Sequence, residues 1–346
     1  PEAVQALAAE RDYLGTSHRQ ANVRFMVARL RDGLAELFAL PDGYEVLLGN
    51  GGTTVLWDAL TFGLIRERSQ HLSFGEFSSK FATCAEAAPH LKDPMVVRAE
   101  PGTHPEPVAT DDVDTYAFTH NETSTGVMMP IRRVIGAADD ALVAVDATSG
   151  AGGLRVDPNE FDLYYFAPQK CFGADGGLWI ALASPAAIER IERLAASDRW
   201  IPASLDLSVA LDNSRKDQTY NTPALATIFL TVHQIEWFNH HGGLEWAGSR
   251  CDASAAALYG WAEAGERTQP FVAGPGHRSR VVGTIDFDES VDAAAVAAVL
   301  RANGVLDTEP YRKLGRNQLR IAMFPAIEPA DIDALCACID HVVGEL

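Results

Sequence analysis

Tyr164-Tyr165-Phe166-Ala167-Pro168-Gln169-Lys170-Cys171-Phe172-Gly173 places a lysine at the end of an apolar, strand-like run. Lysine is rarely buried unless it is neutralised or bonded. Desolvation lowers its pKa and makes the amine a nucleophile that can form a Schiff base with an aldehyde. Taken alone, a lysine snorkelling to solvent accounts for the segment as well. Upstream, Ala144-Val145-Asp146-Ala147-Thr148-Ser149-Gly150 puts an acid directly at the end of a second apolar strand. An acid there is costly without a partner; a cationic ring nitrogen would serve, and so would a helix cap or loop hydrogen bond.

Further upstream, His120-Asn121-Glu122-Thr123-Ser124-Thr125-Gly126 follows a strand immediately. Polar residues at that point fit a ligand crevice at the carboxyl edge of an α/β sheet, or a plain polar loop. Gly49-Asn50-Gly51-Gly52-Thr53-Thr54 lies between a strand and a helix. Its small residues let backbone approach a ligand, and the helix start offers free N–H groups to a phosphate. The third glycine of the dinucleotide fingerprint is missing, and a tight strand-to-helix turn is the competing account. In chain order these segments are an anion cradle, a polar strand end, a strand-end acid and a strand-end lysine. Jointly they match what pyridoxal 5′-phosphate requires: a phosphate site, a carboxylate for the pyridine nitrogen and an amine for the aldehyde.

Strand-like runs at 45–48, 95–97, 115–118, 141–145, 163–166 and 178–182 alternate with helical or loop stretches, which predicts an α/β fold with a covered, mostly parallel sheet. Ser184-Pro185 predicts a helix start, as does Thr222-Pro223, opening a long helix that stops at Gly242-Gly243. Beyond it, helix, strand, helix, strand and helix predict a smaller α+β unit. The expected domains are a large cofactor-binding domain over 17–242 and a small C-terminal domain over 243–346, with 1–16 attached to the small one.

The 346 residues carry 28 Lys and Arg against 47 Asp and Glu, a formal net charge of −19. Such a surface repels phosphate backbones and anionic lipid, so nucleic acid and membrane surfaces are not expected partners. Basic residues that bind an anionic substrate must be gathered locally. No apolar run is long enough to span a bilayer, and Pro1-Glu2-Ala3 does not open a signal peptide; without an initial Met, a few leading residues are expected to precede it. Five sparse cysteines argue for a reducing, cytoplasmic setting. Cys336 and Cys338 lie on an amphipathic helix and are expected to be core thiols; no metal site is expected. Asn121-Glu122-Thr123 has the glycosylation pattern, which carries no weight without secretion.

With these segments in place, the chain resembles the fold-type I pyridoxal-phosphate enzymes of the class-V aminotransferase family, and within it the phosphoserine aminotransferases. The likeness covers nearly the whole chain. It rests on Gly15-Thr16-Ser17-His18-Arg19-Gln20, the His-Asn-Glu-Thr and Val-Asp-Ala-Thr-Ser-Gly segments, Ala-Pro-Gln-Lys, Tyr220-Asn221-Thr222-Pro223, Tyr311-Arg312 and Arg320. The resemblance implies that Lys170 bonds the cofactor and moves the proton, Asp146 keeps the pyridine nitrogen protonated and Thr123 meets the phenolic oxygen. It implies that Phe77 stacks on the ring, and that Gly51, Gly52, Thr53, Gln169, Asn221 and Thr222 hold the cofactor phosphate. The Asn-Thr pair would come from a neighbouring subunit, implying a homodimer. His18, Arg19 and Arg312 would take a substrate phosphate and Arg320 the α-carboxylate, since guanidinium groups suit both anions.

The sequence departs from many relatives at three places: Thr53-Thr54 where an arginine is common, Phe77 where a tryptophan is, and Tyr311 where a histidine is. Arg316, or Arg215 and Lys216 across the dimer, would then supply a missing anion contact. The implied reaction exchanges glutamate and 2-oxoglutarate against 3-phosphohydroxypyruvate and O-phosphoserine in serine biosynthesis, with a further phosphorylated hydroxy-threonine step in pyridoxine biosynthesis. The alternatives are an aminotransferase of the alanine–glyoxylate type, without a substrate-phosphate pocket, or a non-catalytic binding protein of the same fold.

Overall fold

The computed structural model describes residues 2–346; Pro1, at the head of the quoted N-terminus, lies outside the described residues. In chain order the helices are α1 (Glu2–Ala9), α2 (Ala21–Leu37), α3 (Thr53–Gly63), α4 (Glu76–Glu86), α5 (Pro185–Ala195), α6 (Leu207–Ser214), α7 (Leu225–His241), α8 (Gly243–Ala264), α9 (Ala293–Ala302) and α10 (Pro329–Glu345). The strands are β1 (Glu45–Asn50), β2 (Ser69–Ser73), β3 (Met95–Arg98), β4 (Thr115–Thr119), β5 (Asn121–Glu122), β6 (Val127–Met128), β7 (Leu142–Asp146), β8 (Leu163–Phe166), β9 (Leu178–Ala183), β10 (Thr268–Pro270), β11 (Val282–Phe287) and β12 (Gln318–Ala322).

Among the described residues the main sheet runs β1-β9-β8-β7-β4-β2-β3. All neighbours are parallel except β9, which is antiparallel to both β1 and β8. Strands β4, β7, β8 and β9 are buried at every position, as their near-continuous apolar runs require of strands covered on both faces. One face packs on α2 and α7 through Leu30, Leu34, Ile228 and Val232; the other packs on α3, α5 and α6 through Leu56, Leu60, Ile191 and Leu211. The smaller sheet, β10-β11-β12, is antiparallel and covered by α8, α9 and α10 around Leu258, Ile285, Val296, Ile321 and Ile339.

The expected strands and the helix starting at Ser184-Pro185 are present, and the Ser184 hydroxyl accepts from the Ala187 N–H. The start at Thr222-Pro223 needs correction. Helix α7 begins at Leu225 behind Ala224, while the Thr222 hydroxyl faces His18; the helix does end at Gly242, in the left-handed region at φ 118°. Strand β2 had no apolar signature. Its polar side chains are buried because each has a local partner: Ser69 Oγ meets His71 Nε2 at 2.9 Å, and Gln70 bonds the Val108 backbone in both directions. Burial pushes the His71 pKa down to about 3. Cys336 is buried as expected, but Cys338 is exposed and lines a cavity. Asn121 is buried, so its glycosylation pattern is out of reach. No helix among the described residues is long and apolar enough to cross a membrane.

We propose the division into a large unit over 17–242 and a small unit over 243–346. Helix α1 packs on α7, and Ala6 and Leu7 lie against the cluster of the large unit. These contacts favour grouping the N-terminal residues with the large unit rather than the small one.

Candidate active site

The carboxyl ends of β1, β2, β4, β7 and β8 open on one edge of the main sheet. There the register sets Asp146 beside Thr119 and Tyr165. Asp146 is 5% exposed. Its Oδ1 accepts from the Thr148 N–H (2.9 Å) and hydroxyl (2.6 Å), and its Oδ2 from Trp57 Nε1 on α3 (3.1 Å). Burial pushes its pKa up to about 6, against the opposing pull of these hydrogen bonds. Trp57 was not visible as a site residue in the sequence, because its role comes from a helix packing back over the strand end.

A second carboxylate was also missed. Glu122 is fully buried. It accepts from the Ser78 N–H (2.8 Å) and hydroxyl (2.9 Å), from the Phe77 N–H (3.4 Å) and from the Ser124 hydroxyl (2.7 Å). An anion is favoured at a helix start, so Glu122 ties the first turn of α4, which carries Phe77, to the segment carrying Thr123. Gly75 makes room for it: a Cβ there would lie 2.3 Å from Glu122 Cγ. Gly75→Ala should cost about 1–3 kcal/mol of stability through overpacking. It should also shorten cofactor retention on dialysis; denaturant titration and residual absorbance check the two effects.

Thr123, Gln169, Lys170 and Arg320 line one cavity of about 660 Å³. Lys170 and Arg320 are half-buried, and neither side chain has an ion-pair or hydrogen-bond partner among the described residues. Burial lowers the Lys170 pKa, and the Arg320 charge lowers it further. Burial also lowers that of Arg320. The Arg320 guanidinium carbon stands 5.7 Å from the centre of the Tyr311 ring, which is 6.1 Å from the Phe77 ring. The Thr123 hydroxyl donates to Ser149 Oγ at 2.7 Å.

His18, Arg19, Asn221, Thr222 and Arg312 do not line that cavity. His18 Nδ1 lies 3.1 Å from the Thr222 hydroxyl, and the Thr222 carbonyl accepts from Asn50 beside the glycine turn. His18 is buried with Nε2 unpartnered; Arg19, Asn221 and Thr222 are exposed. Arg312 is exposed in the turn Arg312–Leu314, and the adjacent Lys313 pairs with Glu76 at 2.5 Å. No hydrogen bond or ion pair among the described residues joins His18, Asn221 or Thr222 to Lys170 or Arg320. Two of the stand-in cations, Arg316 and Arg215, are corrected. Arg316 is committed to Asp286 at 2.5 Å, and Arg215 to Glu45 and Glu192. Lys216 makes no ion pair among the described residues, so the proposal that it adds an anion contact across the dimer stands; its carbonyl accepts from Arg24.

These residues fit pyridoxal phosphate. Lys170 is an unpaired amine in a cavity. Asp146 is a buried carboxylate whose raised pKa marks the lack of a cationic partner. At the start of α3, Gly52 has no side-chain cap, and nothing lies within 4 Å of where its Cβ would be. The first N–H groups of α3 have no acceptor within the helix, which suits a phosphate.

The family model for class-V aminotransferases matches residues 5–307. A phosphoserine aminotransferase of a Nocardioides species is 64% identical over 345 residues, covering 99% of this chain and 92% of that protein. Among solved structures, a phosphoserine aminotransferase from Cytophaga hutchinsonii superposes with a TM-score of 0.89 at 24% identity, covering 98% of this chain and 93% of the other. The phosphoserine aminotransferase of Trichomonas vaginalis, with pyridoxal phosphate bound, gives 0.81 at 18% identity, covering 98% and 96%. At these identities the structural likeness speaks for the fold.

Proposed function

This chain belongs to the class-V aminotransferase family, with its fold-type I architecture, and on that premise we propose how its residues carry out a transamination of phosphoserine. It is a pyridoxal-phosphate-dependent aminotransferase. The reaction exchanges L-glutamate and 3-phosphohydroxypyruvate for 2-oxoglutarate and O-phospho-L-serine. The observation that carries this reading is the cavity lined by both an unpaired amine, Lys170, and a guanidinium without an acid, Arg320, in a chain 64% identical to a named phosphoserine aminotransferase.

Pyridoxal phosphate supplies an aldehyde that takes up the amino group and a ring that withdraws electrons from the substrate Cα. Lys170 Nζ, kept low in pKa by burial and by Arg320, takes the proton from the substrate Cα and delivers it to the other end of the transfer. Asp146 would hold a proton on the ring nitrogen, and Trp57 and Thr148 orient its carboxylate. Thr123 would meet the ring oxygen, Phe77 would cover the ring, and Gly51, Gly52, Thr53 and Gln169 would hold the phosphate. Arg320 binds the α-carboxylate. Asn221 and Thr222 complete the phosphate site of a second subunit, and His18, Arg19 and Arg312 bind the substrate phosphate. Support for such a homodimer is that the His18–Thr222 pair does not line the Lys170 cavity and that Arg19, Asn221 and Thr222 are exposed, with Phe25, Trp200 and Tyr220 exposed as well. The reaction is placed in cytoplasmic serine biosynthesis. A phosphorylated hydroxy-threonine, as in pyridoxine biosynthesis, offers the same two anionic groups.

The test is the visible spectrum of the holoprotein on adding amino acids. O-phosphoserine is expected to convert the cofactor band far more readily than serine or alanine. Conversion by alanine but not phosphoserine moves the assignment to the alanine–glyoxylate type, and no band after adding pyridoxal phosphate removes the cofactor reading. Arg320→Ala should raise KM for both glutamate and phosphoserine by 30-fold or more, since truncating one partner of a desolvated charge pair costs about 2–5 kcal/mol. Steady-state kinetics with each substrate checks it.

A further inference from the structure

Arg320 lacks a carboxylate partner although two carboxylates are anchored beside it. Its backbone N–H donates to the Thr308 carbonyl at 3.0 Å, so the segment 307–309 is fastened to β12 at Arg320 itself. Leu306, Asp307 and Thr308 line the same cavity, and Thr308 is buried with its hydroxyl unpartnered. Asp307 and Glu309 flank Thr308 on either side. Both charges act on the Arg320 guanidinium, and Asp307 acts on Lys170 too.

Neither acid reaches Arg320, because both are taken by Arg301 in the last turn of α9. Arg301 Nε donates to Glu309 Oε1 at 2.5 Å, and Nη2 donates to Glu309 Oε2 at 3.0 Å and to Asp307 Oδ1 at 2.7 Å. Asp307 stands in the left-handed region at φ 62°, which aspartate tolerates better than most residues, and its side chain is 88% exposed. The planar guanidinium fork therefore engages both negative charges beside the cavity.

We propose that Arg301 is a positioning residue for substrate binding: by holding Asp307 and Glu309 it keeps them off Arg320 and leaves that guanidinium open to the substrate carboxylate. A carboxylate tethered one residue from the Arg320 contact, once released, would be present at a millimolar or higher effective concentration. It would compete directly with an amino-acid carboxylate. A bound substrate carboxylate displaces it and restores the arrangement at Lys170, so the effect belongs in KM rather than kcat.

The inference rests on the reading of Arg320 as the carboxylate site, and the experiment separates the two. In the full-length holoenzyme, Arg301→Ala is expected to raise KM for glutamate and phosphoserine about tenfold, with kcat within about twofold. Adding Asp307→Asn and Glu309→Gln to Arg301→Ala should return KM to within about twofold of wild type, because the competitors are then neutral. Arg301→Lys, with a point charge in place of a fork, should fall between. An unchanged KM in Arg301→Ala overturns the proposal. So does a raised KM that persists in the triple variant, since a merely structural loss is not repaired by removing the acids. If instead Arg320→Ala leaves KM unchanged, the reading of Arg320 fails, and the role of Arg301 fails with it.

Discussion

Lys170→Ala is expected to fold and to bind pyridoxal phosphate, yet to lose at least about 10³-fold in kcat. Positioned proton transfer alone contributes about 10²–10⁴-fold, and the same side chain is the only amine lining the cavity with Thr123, Gln169 and Arg320. Folding should survive because the Lys170 side chain makes no hydrogen bond or ion pair among the described residues, and because removing a half-buried ammonium relieves desolvation. Two readouts besides turnover distinguish this from general damage. Borohydride reduction should fix the cofactor to the wild-type chain at the peptide containing Lys170 and leave the variant unlabelled by mass spectrometry. The melting temperature of the apo-variant should stay within a few degrees of wild type. Turnover above a tenth of wild type, or labelling at another lysine, would remove Lys170 from the chemistry.

The strand-end residues were legible because their signal is local. A polar or charged residue that closes a run such as Leu-Val-Ala-Val-Asp conflicts with its own surroundings, and the conflict shows in one dimension. Partners were not legible. Trp57 reaches Asp146 from a helix that begins after β1, and Glu122 caps α4 from the segment after β4. Neither pairing leaves a spacing to read. The same blindness misjudged the basic residues. Arg316 and Arg215 look available in the sequence, but each has an acid brought to it by folding, whereas the half-buried Arg320 side chain is left with neither an acid nor a hydrogen-bond acceptor among the described residues. Strand β2 was hidden because its stability comes from satisfied polar side chains rather than apolar ones. The grouping of His18 with Thr222 shows the same limit: the two segments were each recognised, but their contact depends on how α2 and α7 pack together.

Asp146→Asn should move activity and stability in ways that one residue rarely combines. An asparagine cannot supply the negative charge that keeps the ring nitrogen protonated. Loss of one buried partner of a charge pair costs about 3–5 kcal/mol, so kcat should fall about 10²–10⁴-fold, at roughly tenfold per 1.36 kcal/mol. In the apoprotein the same carboxylate is a burden. Its folded pKa is about 6 against an ordinary 3.8, so between those values the folded state binds more protons than the unfolded state. Apoprotein stability therefore falls as pH rises from about 4 to 6, by roughly 3 kcal/mol. The asparagine variant lacks this titration. It also loses the acceptor for Trp57 Nε1, a cost of about 1–3 kcal/mol that does not vary with pH. The measurement is thus the difference in unfolding free energy between the two apoproteins from pH 4 to 7. Asp146→Asn should gain about 3 kcal/mol relative to wild type across that range, whatever its offset at pH 4. A flat difference would mean that Asp146 is already compensated without a cofactor, and would remove the argument that this carboxylate is held at the strand end for a cation.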